Sequence, residues 1–162
     1  MRADGPDASF DTRAQAHAAL SAVVADQGTS LCCFSADFRA WPLDQSAFIS
    51  LMQAWALRDA KRPDVMRFLA LDWSQVRTRF PRFATFRRDF AHQVACRQIA
   101  ETRARGLAEM AASARCVVYA HTATWMSGEW VQTASRMHAL NLRFEEAWEQ
   151  AVPAFPSAIL GL

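Results

Sequence analysis

Short apolar runs alternate with helical patterns along the chain, and this alternation predicts a mixed α/β fold. The clearest run, VMRFLAL at residues 65–71, has turn residues on both sides and predicts a buried central strand. The run SLCCF at residues 30–34 predicts an earlier buried strand. Between them, apolar residues from Phe48 to Ala56 recur at the spacing of an amphipathic helix, which Pro63 ends. A strand, a helix and a second strand joined by short turns predict a βαβ unit with parallel strands.

Helical patterns precede and follow this unit. Asp11 or Thr12 is predicted to cap the first helix of the chain. A further helical pattern begins after the central strand, and Pro81 is expected either to kink this helix or to divide it into two short pieces. Residues 94–100 alternate in a way that fits a strand or a continued helix, and we favour the strand.

The C-terminal half is predicted to hold two more helices and three more strands. Residues 101–112 are predicted to be helical, and RCVVYA at residues 115–120 is predicted to be a strand. Residues 127–129 are predicted to form a turn between two short strands. Asn141 is predicted to cap the last helix at residues 142–151, and the apolar tail after it is expected to pack along the surface.

Length and composition indicate one domain. The chain has 162 residues, of which 52% are hydrophobic and 21% are charged, values typical of a globular domain that buries a core. We expect residues 1–10 to be a flexible leader and residues 11–162 to form a single α/β domain. The sequence shows neither an export-signal pattern nor an apolar run long enough to span a bilayer, which predicts a cytoplasmic protein that makes no membrane contact.

The charge pattern restricts the classes of partner. A net charge of +2 is close to balance and argues against a protein that binds polyanions over its whole surface. Almost all of the positive charge is arginine, because Lys61 is the only lysine. The abundance of alanine beside arginine suggests a GC-rich coding sequence, so part of the arginine content reflects composition rather than function.

Arginines and phenylalanines interleave most densely at residues 76–90. The phenylalanines recur at spacings of three and four residues, which predicts a buried stripe made of Phe80, Phe83, Phe86 and Phe90. The arginines of this segment, Arg77 included, are expected to lie on an ordinary solvated surface. The alternative is that they bind an anionic partner through charge-assisted hydrogen bonds. The set predicted for anion binding is Arg79, Arg82, Arg87 and Arg88.

Several common kinds of site are excluded by the absence of their motifs. The five glycines are scattered, so the chain has no glycine-rich phosphate loop. No cysteine or histidine spacing typical of a zinc site occurs, and no G-x-S-x-G motif is present. The four cysteines are predicted to be buried and reduced. We therefore predict no cofactor and no metal.

A few residues are candidates for acid/base chemistry. His121, Glu129 and His138 are the most closely grouped, and His121 follows a predicted strand, although the interpretation that we favour for it is a loop histidine with a structural hydrogen bond. Asp37 and Asp72 each end a predicted strand, and they are expected either to form a paired carboxylate site or to serve in turns and helix caps. The catalytic candidates are His121, Glu129 and Asp72. A triad built from residues distant in sequence stays open, because such sites follow no spacing rule.

Several segments, taken in order, resemble a known family. They are SLCCFSADF, VMRFLALDW, PRFATFRRDFAHQVACRQI, VVYAHTATW and the closing FEEAWEQAVPAFPSAILGL. Together they resemble a family of small uncharacterised bacterial proteins that are similar in fold to one half of the phospholipase-D-like superfamily. The resemblance implies a mixed α/β sandwich in which helices flank the sheet, from about Arg13 onward.

The catalytic signature of that superfamily is incomplete in this chain. Its His-x-Lys motif, with a downstream Asp, follows a buried strand, at the place where this chain has His121, Thr122 and Ala123. In that chemistry the histidine attacks phosphorus, and the lysine neutralises the phosphate oxygens. The missing lysine therefore argues against phosphodiester hydrolysis by the family mechanism.

Two functions remain from the sequence. The first is a non-catalytic phospholipase-D-like module that contacts nucleic acid or another anionic partner through the arginine-rich segment, binds a protein partner, or forms a homodimer across its sheet. The alternative is a hydrolase with an unrecognised site around His121. A third view takes the six tryptophans and the apolar tail as signs of an oligomer with a structural role.

Overall fold

The computed structural model describes residues 7–26, 28–58 and 61–157. Within these ranges the chain forms eight strands, five α-helices and one short 3₁₀ helix at Glu101–Arg103. The strands are β1 (Ala8–Phe10), β2 (Leu31–Ser35), β3 (Met66–Ala70), β4 (Val94–Gln98), β5 (Glu109–Ala112), β6 (Val117–Ala120), β7 (Gly128–Val131) and β8 (Val152–Pro153). The helices are α1 (Arg13–Ala25), α2 (Ser46–Arg58), α3 (Val76–Arg79), α4 (Pro81–Asp89) and α5 (Ala134–Glu149).

All eight strands belong to one mixed sheet, in the order β1-β7-β6-β5-β2-β3-β4-β8. The three strands β2, β3 and β4 are parallel to one another, and the other pairings are antiparallel. β2, α2 and β3 form the predicted βαβ unit, with Leu31 opposite Met66 and Ser35 opposite Ala70. The predicted α/β fold class is therefore confirmed.

Helices cover both faces of the sheet. One core cluster joins residues of α1, α2 and α4 to side chains such as Cys33 and Phe68 on one face. A second cluster joins α5 to Phe34 and Leu69 on the other face. The central strands are apolar on both faces because both are covered, which explains their continuous apolar runs.

Pro81 divides the helical segment after β3 into two pieces, as predicted. It is the first residue of α4, a position that needs no backbone N–H donor and therefore suits proline. Phe80, Phe83 and Phe86 are buried, whereas Phe90 is partly buried, so the predicted stripe is confirmed. Their rings pack toward β3 and the C-terminal tail, as in the contact of Phe83 with Phe68 at 5.1 Å between ring centroids.

The helix predicted at residues 101–112 is wrong. Only Glu101–Arg103 is helical, and Glu109–Ala112 is instead strand β5, between β2 and β6. The sequence EMAA favours a helix locally, but it is fully buried between two strands, and tertiary context overrides such propensities. Gly106 has a φ of 77°, a left-handed conformation that suits glycine in the turn before β5.

Two further boundaries differ from the prediction. Gly128 begins strand β7, so residues 127–129 are not a turn between two strands. The last helix begins at Ala134 rather than near Asn141, and Thr133 occupies its N-cap position. Asn141 lies in mid-helix, because the apolar positions Met137 and Phe144 continue one buried face through it.

The described residues near both ends of the chain pair with the sheet. Ala8–Phe10 is a strand paired with β7, which corrects the expectation of a flexible leader for that part of residues 1–10; residues 1–6 lie outside the described ranges. At the other end Val152 and Pro153 pair with β4, and Phe155 is buried. The tail therefore packs as expected as far as residue 157, and residues 158–162 lie outside the description.

Two further expectations concern membranes and thiols. None of the helices in the described ranges combines the length and apolar character that crossing a membrane requires. All four cysteines are buried and free of disulfide bonds, as predicted. Burial raises the pKa of the Cys96 thiol to about 12 and also raises the pKa of Cys33, so these thiols stay protonated and unreactive.

Candidate functional site

One edge of the sheet gathers the strand ends where α/β proteins place their ligands. β2, β3 and β4 are parallel, and β6 runs in the same direction because both it and β2 are antiparallel to β5. The carboxyl ends of four strands therefore meet at this edge. β1 also ends here, since Phe10 pairs with the first residue of β7, and α1 begins directly afterwards. Ligands of open α/β sheets bind outside such carboxyl ends.

An open cleft of about 510 Å³ lies at this edge, and we call it the arginine cleft. Its lining comes from the start of α1, the loop after β2, the end of α3 and the loop after β6. Its lining residues are Arg13, Asp37, Arg39, Ala40, Arg79, Ala123 and Thr124. Three guanidinium groups thus face one carboxylate among these residues, which gives the cleft a positive charge.

The three arginines differ in the contacts that their guanidinium groups make within the protein. Arg13 donates to the carbonyl oxygen of Thr124 at 3.0 Å and so bridges α1 to the loop after β6. Arg39 approaches the Asp37 carboxylate through its Nε atom at 3.5 Å, and its side chain is 65% exposed. The side chain of Arg79 makes neither a hydrogen bond nor an ion pair with any residue that the structure describes. Its guanidinium can therefore engage a ligand without breaking an internal contact.

Two buried aromatic residues anchor the loops that carry this lining. Phe38 stands between Asp37 and Arg39, and Trp125 follows Thr124; each is 0% exposed. Their φ angles are 58° and 55°, in the left-handed region that bulky residues rarely adopt. Such strain persists only where packing over-determines the conformation, and it is frequent at functional sites.

Trp41 joins the two anchors. Its ring lies edge-on to Phe38, with 5.0 Å between ring centroids, and edge-on to Trp125, with 5.3 Å between centroids. The loop after β2 and the loop after β6 are therefore packed against each other beneath the cleft. These ring contacts hold the two loops that line the arginine cleft in one arrangement relative to each other.

A buried carboxylate ties the same two loops together. Glu109 begins β5 and is 8% exposed. It accepts hydrogen bonds from Ser35 Oγ at 2.7 Å and from the backbone N–H of Ala36, at the end of β2. It also accepts one from Trp125 Nε1 at 2.9 Å. Burial raises the pKa of Glu109, and the three donors oppose this increase.

Helix α1 clamps both loops from above. Arg13 holds Thr124 of one loop, and His17, one turn later, contacts the carbonyl oxygen of Ala40 in the other at 2.7 Å. Residues four apart lie on the same face of a helix. One face of α1 therefore contacts both loops and fixes their spacing across the cleft.

Residues 12–156 match a protein-family model described as a domain of unknown function (DUF7931). The chain belongs to this family. No curated protein matches the sequence at a significant level.

Two solved structures share the fold of this DUF7931 domain. One is TrmBL2, an archaeal chromatin protein whose structure shows a novel mode of DNA binding; it superposes with a TM-score of 0.65 at 10% sequence identity, over 93% of this chain and 54% of that one. The chain thus spans about half the length of the chromatin protein. The other is Nuc, a phospholipase D family member from Salmonella typhimurium, with a TM-score of 0.60 at 8% identity, over 92% of this chain and 97% of that one. At such identities the likeness shows the fold alone, and it confirms the predicted similarity to the phospholipase D fold.

The residues proposed for catalysis do not share a hydrogen-bonded site. His121 is exposed at the end of β6, and its Nδ1 lies 3.2 Å from Ser127 Oγ. Glu129 accepts hydrogen bonds from the hydroxyl group of Tyr119 and from Arg136, the latter at 3.0 Å, so its carboxylate is already occupied. His138 is exposed on α5.

The two strand-end carboxylates each serve their own turn. Asp72 accepts the backbone N–H of Ser74 at 2.8 Å, and this hydrogen bond lowers the pKa of Asp72. Asp37 accepts the backbone N–H of Arg39 at 3.0 Å. Of the two alternatives predicted for this pair, the geometry corresponds to turn roles. In the part of the chain that the structure describes, no three histidine, cysteine, aspartate or glutamate side chains are grouped to hold a metal ion.

The predicted set of anion-binding arginines is spread over several surfaces. Arg82 pairs with Asp44 on the loop before α2, at 2.8 Å to its carbonyl oxygen. Arg87 donates to the carbonyl oxygen of Phe155 at 3.2 Å, and Arg88 pairs with its neighbour Asp89 at 3.1 Å. Arg77, from the same segment, donates to Pro156 and stacks over Phe155. Of the segment only Arg79 lines the arginine cleft.

Sequence reasoning missed Arg13, Arg39 and Glu109. The two arginines are isolated in the sequence, and only the fold brings them to the same edge as Arg79. Glu109 was hidden by the incorrect helix prediction, which would have allowed its side chain to reach solvent. The one available signal was a single acidic residue directly before the apolar segment MAA.

Proposed function

We propose that the chain is a non-catalytic binding module that contacts the phosphate groups of a nucleic acid through the arginine cleft. The observation that carries the proposal is the convergence of Arg13, Arg39 and Arg79 on one open cleft, with Arg79 unpaired within the described ranges. Guanidinium groups donate two parallel hydrogen bonds to a phosphate, and they do so whatever the base sequence. The module is therefore expected to bind without strong sequence preference.

The position of the cleft supports this proposal. It lies outside the carboxyl ends of parallel strands, and Phe38, Trp125 and Glu109 hold the backbone of two of its loops. Loops that are already ordered lose less conformational freedom when a ligand binds. The archaeal chromatin protein that shares this fold has a DNA-binding mode, which makes nucleic acid the first ligand to test.

The absence of the catalytic lysine supports a binding role over hydrolysis. Lys61, the only lysine, follows α2 and precedes β3, at the amino end of that strand and so at the opposite edge of the sheet. It cannot neutralise a phosphate held beside His121. We keep in the proposal a cytoplasmic location and association with a protein partner or a second copy, which the sequence predicts.

The test is a salt titration of binding to a fluorescent mixed-sequence oligonucleotide. The cleft variant carries Arg39→Ala and Arg79→Ala; the control carries Arg82→Ala and Arg88→Ala and removes the same charge elsewhere. For single strands, each lost phosphate contact lowers the slope of log K against log salt by about 0.7, so we expect a decrease of about 1.4 in the cleft variant. The control should keep the native slope.

Two results would contradict the proposal. One is the absence of any binding by the native protein at low salt. The other is an equal decrease of slope in the cleft variant and the control, because that would indicate a general charge effect rather than a site.

A hydrolytic site around His121 is the second candidate. The observation that favours it is an exposed imidazole at the carboxyl end of β6, within 3.2 Å of the Ser127 hydroxyl oxygen. Histidine next to a hydroxyl group can act as a general base. Cleavage of the same oligonucleotide by the native protein, lost in His121→Ala while binding is retained, would favour this candidate over the first.

A further inference from the structure

We infer that the ligand is a strand of several nucleotides, which runs from the arginine cleft across the sheet edge to a second basic group formed by Arg103 and Arg105. This inference rests on the proposed function and specifies its ligand. The loop between β4 and β5 carries this second group, through its position, its held backbone and its exposed charges.

The loop between β4 and β5 lies at the same sheet edge as the arginine cleft. β4 is parallel to β3 and ends at this edge, and β5 begins here because it is antiparallel to β2. β2 and β3 stand between β5 and β4 in the sheet. The loop at residues 99–108 must therefore pass the carboxyl ends of both central strands, from which the loops of the cleft also start.

The loop has a fixed backbone. Arg143 of α5 donates to the carbonyl oxygens of Arg103 at 3.0 Å and of Arg105 at 2.6 Å. Ala104 between them is buried in the α5 core cluster. Gly106 closes the turn with its positive φ angle. Arg143 thus holds the backbone of Arg103 and Arg105.

The side chains of Arg103 and Arg105 are exposed and unoccupied. Neither makes a hydrogen bond or an ion pair within residues 7–26, 28–58 and 61–157. Arg88, which is also exposed, is instead paired with its neighbour Asp89 at 3.1 Å. Two unpaired guanidinium groups on a loop with a held backbone, at the carboxyl edge of the sheet, form a favourable site for phosphates.

The two basic groups lie on opposite faces of the sheet. The arginine cleft is lined from α1 and α3, whose buried residues belong to one core cluster. Ala104 and Leu107 pack in the other cluster, with α5. The sheet edge lies between the two groups, so a ligand that contacts both must reach around that edge. A chain of phosphates can do so, which is why we favour a polymer over a mononucleotide.

The experiment compares two lengths of mixed-sequence single-stranded DNA, about 16 and about 4 nucleotides, which are the ends of the range that one binding domain covers. The variant carries Arg103→Ala and Arg105→Ala, and the control is again Arg82→Ala with Arg88→Ala. Both changes leave the backbone contacts of Arg143 in place. Thermal unfolding followed by circular dichroism verifies that each variant is folded.

We expect the Arg103/Arg105 variant to bind the long strand several-fold more weakly, with a salt slope lower by about 1.4, and to bind the short strand as the native protein does. The Arg39/Arg79 variant should be weaker with both lengths. A native salt slope and affinity for the long strand in the Arg103/Arg105 variant would overturn the extended path alone. Failure of the native protein to bind either length would overturn the proposed function as well.

Discussion

Glu109 shows how one buried carboxylate can fix the geometry of a surface cleft. Carboxylates are seldom buried unless hydrogen bonds or ion pairs satisfy them. The partners of Glu109 are the donors of Ser35, Ala36 and Trp125, none of them a cation, so burial raises its pKa despite three hydrogen bonds. The residue therefore joins the two loops of the cleft through its hydrogen bonds.

We expect Glu109→Gln to destabilise the protein by about 1–3 kcal/mol, because the amide keeps the shape but replaces one accepting oxygen with a donor that faces N–H groups. The free energy of unfolding in urea measures this effect. Glu101→Gln, at an exposed position in the 3₁₀ helix, is the control and should change stability by less than about 0.5 kcal/mol. Equal stabilities of the two variants would show that the Glu109 hydrogen bonds are not needed.

Asp7 has the opposite electrostatic environment. It accepts the backbone N–H groups of Gln132 at 2.8 Å and Thr133 at 3.0 Å, at the start of α5, and it pairs with Arg136 at 2.6 Å. These contacts lower the pKa of Asp7 far below its usual range. A carboxylate with a lowered pKa stabilises the folded state above its unfolded pKa and loses that effect as pH falls.

We therefore expect Asp7→Asn to be less stable than the native protein near pH 7, and the difference to shrink as pH falls below about 4. Urea unfolding of both proteins from about pH 7 to about pH 2 gives the comparison. Asp11→Asn is a matched control, since Asp11 is exposed two residues before α1 begins. A stability difference that stays constant over this range would contradict the assigned role of the Asp7 charge.

At the level of strands, the packing of β7 against its neighbours depends on Gly128. A Cβ atom at Gly128 would collide with the carbonyl oxygen of Tyr119 in β6 and with the ring of Phe10 in β1. Gly128 pairs with both neighbouring strands, Phe10 on one side and Ala120 on the other. The close approach of three strands thus requires glycine.

Gly128→Ala is expected to cost about 1–3 kcal/mol, the usual effect of overpacking, as measured by thermal or urea unfolding. Ser9→Ala, at an exposed position of the adjacent strand β1, is the control and should be nearly neutral. Native stability of the glycine variant would mean that β1 can move away from β7 without loss.

The helices and strands that the sequence predicted well are those whose pattern is local. β2, α2 and β3 each carry a complete apolar run or helical repeat, and Pro81 marks the break between α3 and α4 on its own. β5 was missed because EMAA favours a helix in isolation, and only its neighbours β2 and β6 make it a strand. The start of α5 was missed because the residue that binds the backbone N–H groups of Gln132 and Thr133, directly before the helix, is Asp7, which is distant in sequence.

The candidate site shows the same limit at the level of the whole molecule. Arg79 was named from its arginine-rich segment, but its cleft partners Arg13 and Arg39 come from separate parts of the chain. The many arginines of that segment indicated a basic surface. In the fold, several of them instead make internal contacts, such as the hydrogen bond from Arg87 to the carbonyl oxygen of Phe155. The fold decides which arginines are left without an internal partner. That fold depends on strand pairings between segments far apart in sequence, which no short segment specifies.

The lengths of the outermost strands affect how the protein behaves at high concentration. Long exposed strand edges recruit further chains and seed aggregates, and they also capture extended peptides as an added strand. Here one end of the sheet is the three-residue β1, and the other is the two-residue β8, in which Pro153 lacks an N–H donor. Either end offers too few free backbone groups to template a growing fibre. Protection against aggregation is thus built into the two short strands that close the sheet.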